Sequence, residues 1–243
     1  MKRQNVRKLI LLVSLLLLPV TLFYFSPVLI IEGAAVGVVT GSAMMFLLLF
    51  FSGMIFGRGA CGWIMACGGF QEMLAGVNDN PLRAEKKRWI RWMIWGSWFT
   101  GVITAIVTFG AHDFKPFFMT SYGVSVAQPW EYIIYYAVLL VIGGVTLATG
   151  RRGFCAYGCW MSPFMVLGRK FADALRLPGL RLIKKGTETC IECGRCTNVC
   201  PSSLNVQNLM QSGTNGHPEC ILCGNCADVC PKKLPGFALR CLK

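Results

Sequence analysis

The chain has 243 residues, of which 54% are hydrophobic and only 14% charged, where a soluble domain carries roughly a quarter charged residues. That shortage argues against a soluble enzyme and for a chain that meets lipid. Thirteen cysteines fall in repeated short spacings, which reads as metal ligation rather than a disulfide framework, and the net charge of +13 has to be assigned by where it lies.

Four apolar stretches are long enough to cross a bilayer, at about 9–31, 34–56, 89–109 and 132–149. Glu32 and Gly33 divide the first two, which predicts a tight helical hairpin. The first stretch follows Lys2, Arg3, Arg7 and Lys8, but its apolar run is too long for a secretory signal and no small-residue cleavage site follows it, so it is expected to remain as an anchor.

The basic residues are asymmetric. Arg58, Arg83, Lys86, Lys87, Arg88 and Arg91 stand between the second and third stretches, and the remainder follow Arg151. Lys115 alone lies in the loop between the third and fourth, near His112, Asp113 and Glu131. The positive-inside rule puts the basic side, with the N-terminus and the C-terminal region, in the cytoplasm. This accounts for the charge without nucleic acid, and no groove-reading motif accompanies it.

After Thr149 the character changes. Ser162-Pro163 reads as a helix N-cap and first-turn proline. The run to Leu177 reads as a basic amphipathic helix on the membrane surface, ended by Pro178-Gly179. Arg181, Lys184 and Lys185 read as a basic linker. The domains expected are therefore a four-helix membrane region (1–150), an interfacial helix and linker (151–185), and a cysteine-rich module (186–243).

In that module Cys190, Cys193, Cys196 and Cys200-Pro201 give C-x2-C-x2-C-x3-C-P, and Cys220, Cys223, Cys226 and Cys230-Pro231 repeat it spacing for spacing. In two-cluster ferredoxins the fourth cysteine of such a run ligates the other cluster. The expected sets are Cys190, Cys193, Cys196 and Cys230 for one [4Fe–4S] cluster, and Cys220, Cys223, Cys226 and Cys200 for the second. Zinc knuckles are the alternative, but two identical four-cysteine runs each closed by proline are unlike them. With little core of its own, a module this small is expected to depend on its clusters for folding. Cys241 falls outside the pattern and reads as a free thiol.

A second repeat follows the second and fourth apolar stretches: GRGACGWIMACGGFQEML (57–74) and GRRGFCAYGCWMSPFMVL (150–167). Aligning Cys61 with Cys155 gives the sulfur triplets Cys61, Met65, Cys67 and Cys155, Cys159, Met161. The membrane region thus reads as two copies of a two-helix hairpin, each ending in sulfurs. They are open to three readings: apolar packing, the border of an electron-transfer site, or a site for Cu(I) or another thiophilic metal.

The order of apolar hairpins, paired cysteine elements and two-cluster module resembles the NapH-type membrane ferredoxins, quinol dehydrogenase-type subunits of periplasmic nitrate reduction, and their MauN and NosR relatives. Cys61-Gly62-Trp63, Gly68 and Gln71 match the family element C-G-W-x-C-P-x-G-x-x-Q, but Met65-Ala66 stands in place of its second Cys-Pro. The second element keeps Cys155 and Cys159, with Trp160 for proline and Ser162 for glycine. The resemblance implies a membrane all-α protein of four transmembrane helices with a C-terminal small α+β ferredoxin-like domain. It further implies electron passage between the quinone/quinol pool and a partner redox protein such as a ferredoxin, a cytochrome or a reductase subunit, at the inner face of the cell membrane. Assembly factors of the CcoG type, which handle copper, and a redox-sensing membrane protein are the alternatives.

Glu72, Arg58, Arg152 and Asp173 are candidate proton-handling groups at the interface. The chain has only two histidines, no C-x-x-C-H and no G-x-G-x-x-G, so haem, NAD and a Rossmann-bound flavin are not expected. From Gly186 onward five basic and four acidic side chains are too balanced to indicate a partner's charge.

Overall fold

The computed structural model describes every residue except Met1, 83–84, 111, 186–187, 214–215 and 242–243, so Arg83 and Gly186 lie outside the described residues. The first apolar stretch is not one helix. It divides into α1 (Lys2–Leu16), α2 (Leu18–Thr21), a 3-10 turn at Phe23–Phe25 and α3 (Pro27–Ala35). Its prolines set the breaks: Pro19 sits in the first turn of α2, and Ser26 is held extended (φ −82°, ψ 123°) before Pro27, the start of α3. Glu32 and Gly33 lie inside α3. The hairpin turn falls after them, at Val36–Gly37 and the short strand β1 (Val38–Thr40).

Thr40 caps α4 (Gly41–Phe56), its hydroxyl oxygen accepting from the Ala43 amide. Two short helices follow, α5 (Gly59–Trp63) and α6 (Ala66–Leu74). The helix α7 (Ile90–Phe109), with the turn entering it from Lys87, and α8 (Glu131–Thr149) are each long and apolar enough to cross a membrane; α4, at 16 residues, is shorter. In the first turn of α8 the Glu131 carboxylate accepts from the Ala127 and Gln128 amides at 2.6 and 2.7 Å. At the far end of the helices β1 pairs in parallel with β2 (Asp113–Lys115), tying the two interhelix connections together.

Beyond α8, α9 (Gly153–Tyr157) leads into α10 (Ser162–Ala174), whose N-cap is Met161 rather than Ser162. The expected surface helix is instead packed along α4. Gly53 meets the backbone of Met165, where an added Cβ would come 2.6 Å from its carbonyl oxygen, and a Cβ on Gly168 would overlap the carbonyl of Phe50. Small residues on both helices let the backbones touch. Phe171, beside the Phe50 ring of α4, and Leu175 remain half-exposed.

The segment read as a basic linker is strand β3 (Gly179–Lys184), antiparallel to β4 (Pro235–Arg240) in register Gly179↔Arg240 to Lys184↔Pro235. Both faces of the strand are covered: Leu182 and Ile183 on opposite sides are buried, and Arg181, buried as well, pairs with Asp173. The module thus begins at β3, seven residues before the expected boundary, and holds α11 (Arg195–Asn198), α12 (Val206–Ser212) and α13 (Asn225–Val229) between its strands. One apolar core runs from Phe46, Val102 and Ile142 in the helices through Cys61 and Cys159 to Ile221 and Cys223, so the module is continuous with the helical region.

Candidate functional site

The two cysteine runs adopt one backbone course twice. Positive φ recurs at Glu192 and Leu222, at Gly194 and Gly224, and at Ser203 and Lys233, the same positions relative to each first cysteine. A non-glycine residue in this region costs about 1 kcal/mol. Its repetition at matched places means that each half curls around the same kind of object. Gly194 and Gly224 start α11 and α13, which carry Cys196 and Cys226 inward, both buried.

Two cavities result. One is lined by Cys190, Cys193, Cys196 and Cys230, with Ile191, Met210 and Leu234 among its walls. The other is lined by Cys200, Cys220, Cys223 and Cys226, with Leu182, Leu204 and Phe237. Among the described residues no three His, Cys, Asp or Glu side chains converge tightly enough to hold a single metal ion; the thiols ring a wider space, as the corners of a cubane require. Burial pushes the Cys220 thiol up to about 12 and raises Cys200, Cys223 and Cys226 as well. Thiolates at such positions need a cationic centre between them, so the donor sets fit iron–sulfur clusters.

The second cavity faces the helices. Successive backbone carbonyls of its loop are taken by side chains from outside the module. The Trp63 indole donates to Leu222 O (3.1 Å), the Gln4 amide to Cys223 O (3.0 Å) and the Arg3 guanidinium to Gly224 O (2.9 Å). Glu219, one residue before Cys220, is clamped by Arg58 and Arg91, the latter in a two-pronged contact, with Arg88 3.9 Å away. Burial alone would raise Glu219, yet these guanidiniums hold it at about 2. Arg91 is 1% exposed and points inward to this carboxylate rather than out to an interface. By contrast Cys193 is exposed, so the first cavity lies toward the surface of the module.

The repeated sulfur elements are also alike in structure. α5 and α9 each start two residues before their first cysteine, behind Arg58 and Arg152. Ile64 and Gly158 donate to the carbonyls of Ala60 and Phe154, and Met65 and Cys159 reach back to the same two oxygens. Cys61, Met65, Cys155, Cys159 and Met161 are buried, and Cys67 is partly so. Cys61 Sγ lies 3.9 Å from Met165 Sδ, a sulfur outside the expected triplets. Gln71 brackets Cys155, its amide nitrogen donating to Sγ at 3.0 Å and its oxygen accepting from the Cys155 amide at 3.2 Å.

Beside this lies the network at Glu72. Arg7 donates to both its oxygens (2.8 and 2.7 Å) and Arg152 to one (2.5 Å), while Arg7 and Arg152 also bind Gly62 O and Cys61 O. Burial would raise the Glu72 carboxyl, but Arg152 and Arg7 lower it on balance. Glu72 and Arg152 line a cleft of about 610 Å3 between α1, α6 and the cysteine module, with Arg7, Gln71, Leu11 and Leu12. Its floor includes Val199 and Pro201, which flank Cys200, and Asn225, which precedes Cys226. Of the other proposed proton-handling groups, Arg58 is committed to Glu219, and Asp173 lies apart, between Arg169 and Arg181. Nothing local marks Glu219 as the centre of a clamp, because its partners lie 128 and 161 residues away.

No curated protein and no solved structure matches the chain. The family model of the 4Fe-4S dicluster domain matches residues 182–231, from within β3 to the proline after Cys230. This chain therefore carries a ferredoxin-like iron–sulfur domain, whose chemistry is electron transfer.

Proposed function

We propose that the chain is a membrane-embedded electron-transfer protein that exchanges electrons between a quinone/quinol and a partner redox protein through two [4Fe–4S] clusters. The observation that carries this reading is the cleft between α1, α6 and the module, which touches residues next to Cys200 and Cys226 on one side and Leu11 and Leu12 on the other. It is large enough for a ring with polar edges and open to an apolar tail. Outward side chains on α7 and α8, among them Met93, Ile103, Val107, Ile133 and Leu140, are exposed and apolar, which suits lipid as their solvent. With α4 and the broken α1–α3 segment these helices would make up the membrane region, its basic end in the cytoplasm by the charge asymmetry.

Bound clusters supply one-electron couples whose potentials are set by their surroundings. The chain's own residues do the rest. Lys8, exposed on the cleft, offers donors to a quinone oxygen, while Arg7, Arg152, Gln71 and Gln4, committed to Glu72, Cys155 and Cys223, hold the cleft wall in shape. Leu11 and Leu12 direct a tail toward lipid. The exposed Cys193 and its neighbour Ile191 put the distal cluster where a partner can reach it.

The test is anaerobic mixing of the purified protein, assayed for iron, with a short-chain quinol and with its quinone, followed by paramagnetic resonance of the clusters. Electron exchange in at least one direction is expected. It should slow about tenfold or more in Leu12→Trp, which narrows the cleft without touching a cysteine, a loss equivalent to about 1.4 kcal/mol in the barrier. An eight-iron preparation that exchanges no electrons with any quinone or quinol overturns the reading.

A further inference from the structure

The geometry points to a second redox centre made of protein alone: Cys155 and Cys159 form a buried dithiol/disulfide couple that exchanges electrons with the cluster at Cys223. The inference uses the iron–sulfur domain but not the quinone reading.

Four observations meet here. First, the two sulfurs are neighbours on one turn. α9 stops at Tyr157, Gly158 follows, and the Cys159 amide reaches back to Phe154 O at 2.9 Å. The two thiols are in hydrogen-bond contact with each other, from which a modest closure reaches disulfide geometry. Second, Cys155 sits among donors. The Gln71 amide points at its sulfur, and Arg152 and Arg58 add positive charge. The hydrogen bond from Cys159, then the arginines and Gln71, lower the Cys155 thiol to about 6 against the effect of burial, while Cys159 is raised by that same hydrogen bond. A thiolate beside a thiol is the reactive form of such a pair. Third, both are buried, so the couple is shielded from solvent thiols and oxidants. Fourth, Cys159 belongs to the apolar core that also contains Ile221 and Cys223, so packed protein leads from this sulfur to the second cavity.

The step balances as follows. The disulfide takes two electrons, one from each reduced cluster, and one proton. The S–S bond breaks to leave Cys155 as thiolate and Cys159 as thiol. In reverse the bond forms, the two electrons return to the clusters, and the Cys159 proton leaves to solvent in the cleft that Gln71 and Arg152 line. The first repeat cannot do this, because Met65 occupies the position equivalent to Cys159; its Cys61 faces Met165 instead.

The test uses the full-length protein with its clusters in place. Samples poised at a series of potentials are quenched in acid with an alkylating agent and digested, and the peptide containing Cys155 and Cys159 is weighed. A Cys155–Cys159 bridge at oxidising potentials and two alkylated thiols at reducing ones are expected. In a parallel dithionite titration the reduced-cluster signal of the wild type should lag by about two electrons per chain, the capacity of one disulfide. Cys159→Ala with the same iron content should show no lag. Should Cys159→Ala fail to retain iron, Cys155→Ser and the wild-type mapping decide. Both thiols alkylated at every potential, a bridge between Cys61 and Cys155 instead, or the same titration curve for wild type and Cys159→Ala would overturn the inference. Because dithionite supplies the electrons, failure of quinol exchange leaves this result unaffected.

Discussion

Gly62 in α5 is packed against the carbonyl of Ile221 so closely that a methyl group in place of its hydrogen would overlap that oxygen. This contact joins the helical region to the loop that carries Cys220 and Cys223. The obstruction is backbone, which cannot swing aside as a side chain can. In Gly62→Ala the loop must therefore shift, at a cost of about 1–3 kcal/mol. A lowered melting temperature in detergent and an altered signal from the cluster at Cys223, with the distal cluster unchanged, are expected. A variant that matches the wild type in both would show that the module is not docked through this contact.

The Glu219 clamp makes a second prediction. Glu219→Gln removes the charge that compensates Arg58 and Arg91, both nearly fully buried, and breaking a buried ion pair in this way costs about 3–5 kcal/mol. The folded carboxyl is held at about 2, below the unfolded value near 4.3, so its contribution is fully present above about pH 4.3 and is lost only as pH falls toward 2. Thermal stability of the wild type should accordingly show no step from this group between pH 5 and 8, while Glu219→Gln should melt lower throughout that range. A normal melting temperature for the variant would mean that the arginines are satisfied elsewhere.

Much of this architecture is legible in the chain, and what is not has a physical reason. The cysteine runs announce themselves because their spacing is local, and the Cys61 and Cys155 elements are visible as a repeat because their turns are built locally too. Pro19 and Pro27 marked the breaks in the first apolar stretch, but hydropathy alone merged the pieces. The burial of α10 against α4 rests on Gly53 and Gly168, two residues whose meaning depends on which backbone arrives opposite them. Ion pairs such as Arg7–Glu72 and Arg58–Glu219 link distant parts of the chain, so charge counting assigned those arginines to a membrane flank when Arg7 also ties α1 to α6 and Arg58 fastens the module.

Two arginines on α1 should behave differently. Arg3 pairs with Asp228, but both are partly exposed, so Arg3→Ala should change stability by less than about 1 kcal/mol. Arg7 is 1% exposed and spans Glu72 and the Gly62 carbonyl. Arg7→Leu leaves a largely buried carboxylate with Arg152 as its remaining ion-pair partner among the described residues and should cost about 3 kcal/mol. Comparable melting temperatures for the two variants would contradict the burial difference.

Glu72 invites assignment as the proton acceptor for a quinol in the cleft, yet its arginine partners lower its carboxyl from the ordinary value, so it is already ionised and strongly held near neutral pH. A base must take up a proton during turnover, and a carboxylate fixed by Arg7 and Arg152 resists doing so. Glu72→Gln is therefore expected to lower stability and the affinity of the cleft while leaving the pH dependence of electron exchange near neutrality unmoved. Loss of an ionisation from that profile would make Glu72 the proton acceptor.

With the two clusters proposed above, the cavities predict how iron is lost. Cys193 lines only the outer cavity and is exposed, so Cys193→Ser should bring iron from about eight to about four per chain while the inner cluster survives, shielded by Trp63, Gln4 and Arg3. Cys223→Ser removes a ligand from the inner cavity, whose loop also fastens the module to α1 and α5. It should release the inner cluster and, because that loop loses its shape, lower the melting temperature more than Cys193→Ser does. Iron and sulfide assays with melting curves on both variants check this asymmetry. Equal destabilisation by the two substitutions would mean that the inner cluster does not organise the contact between module and helices.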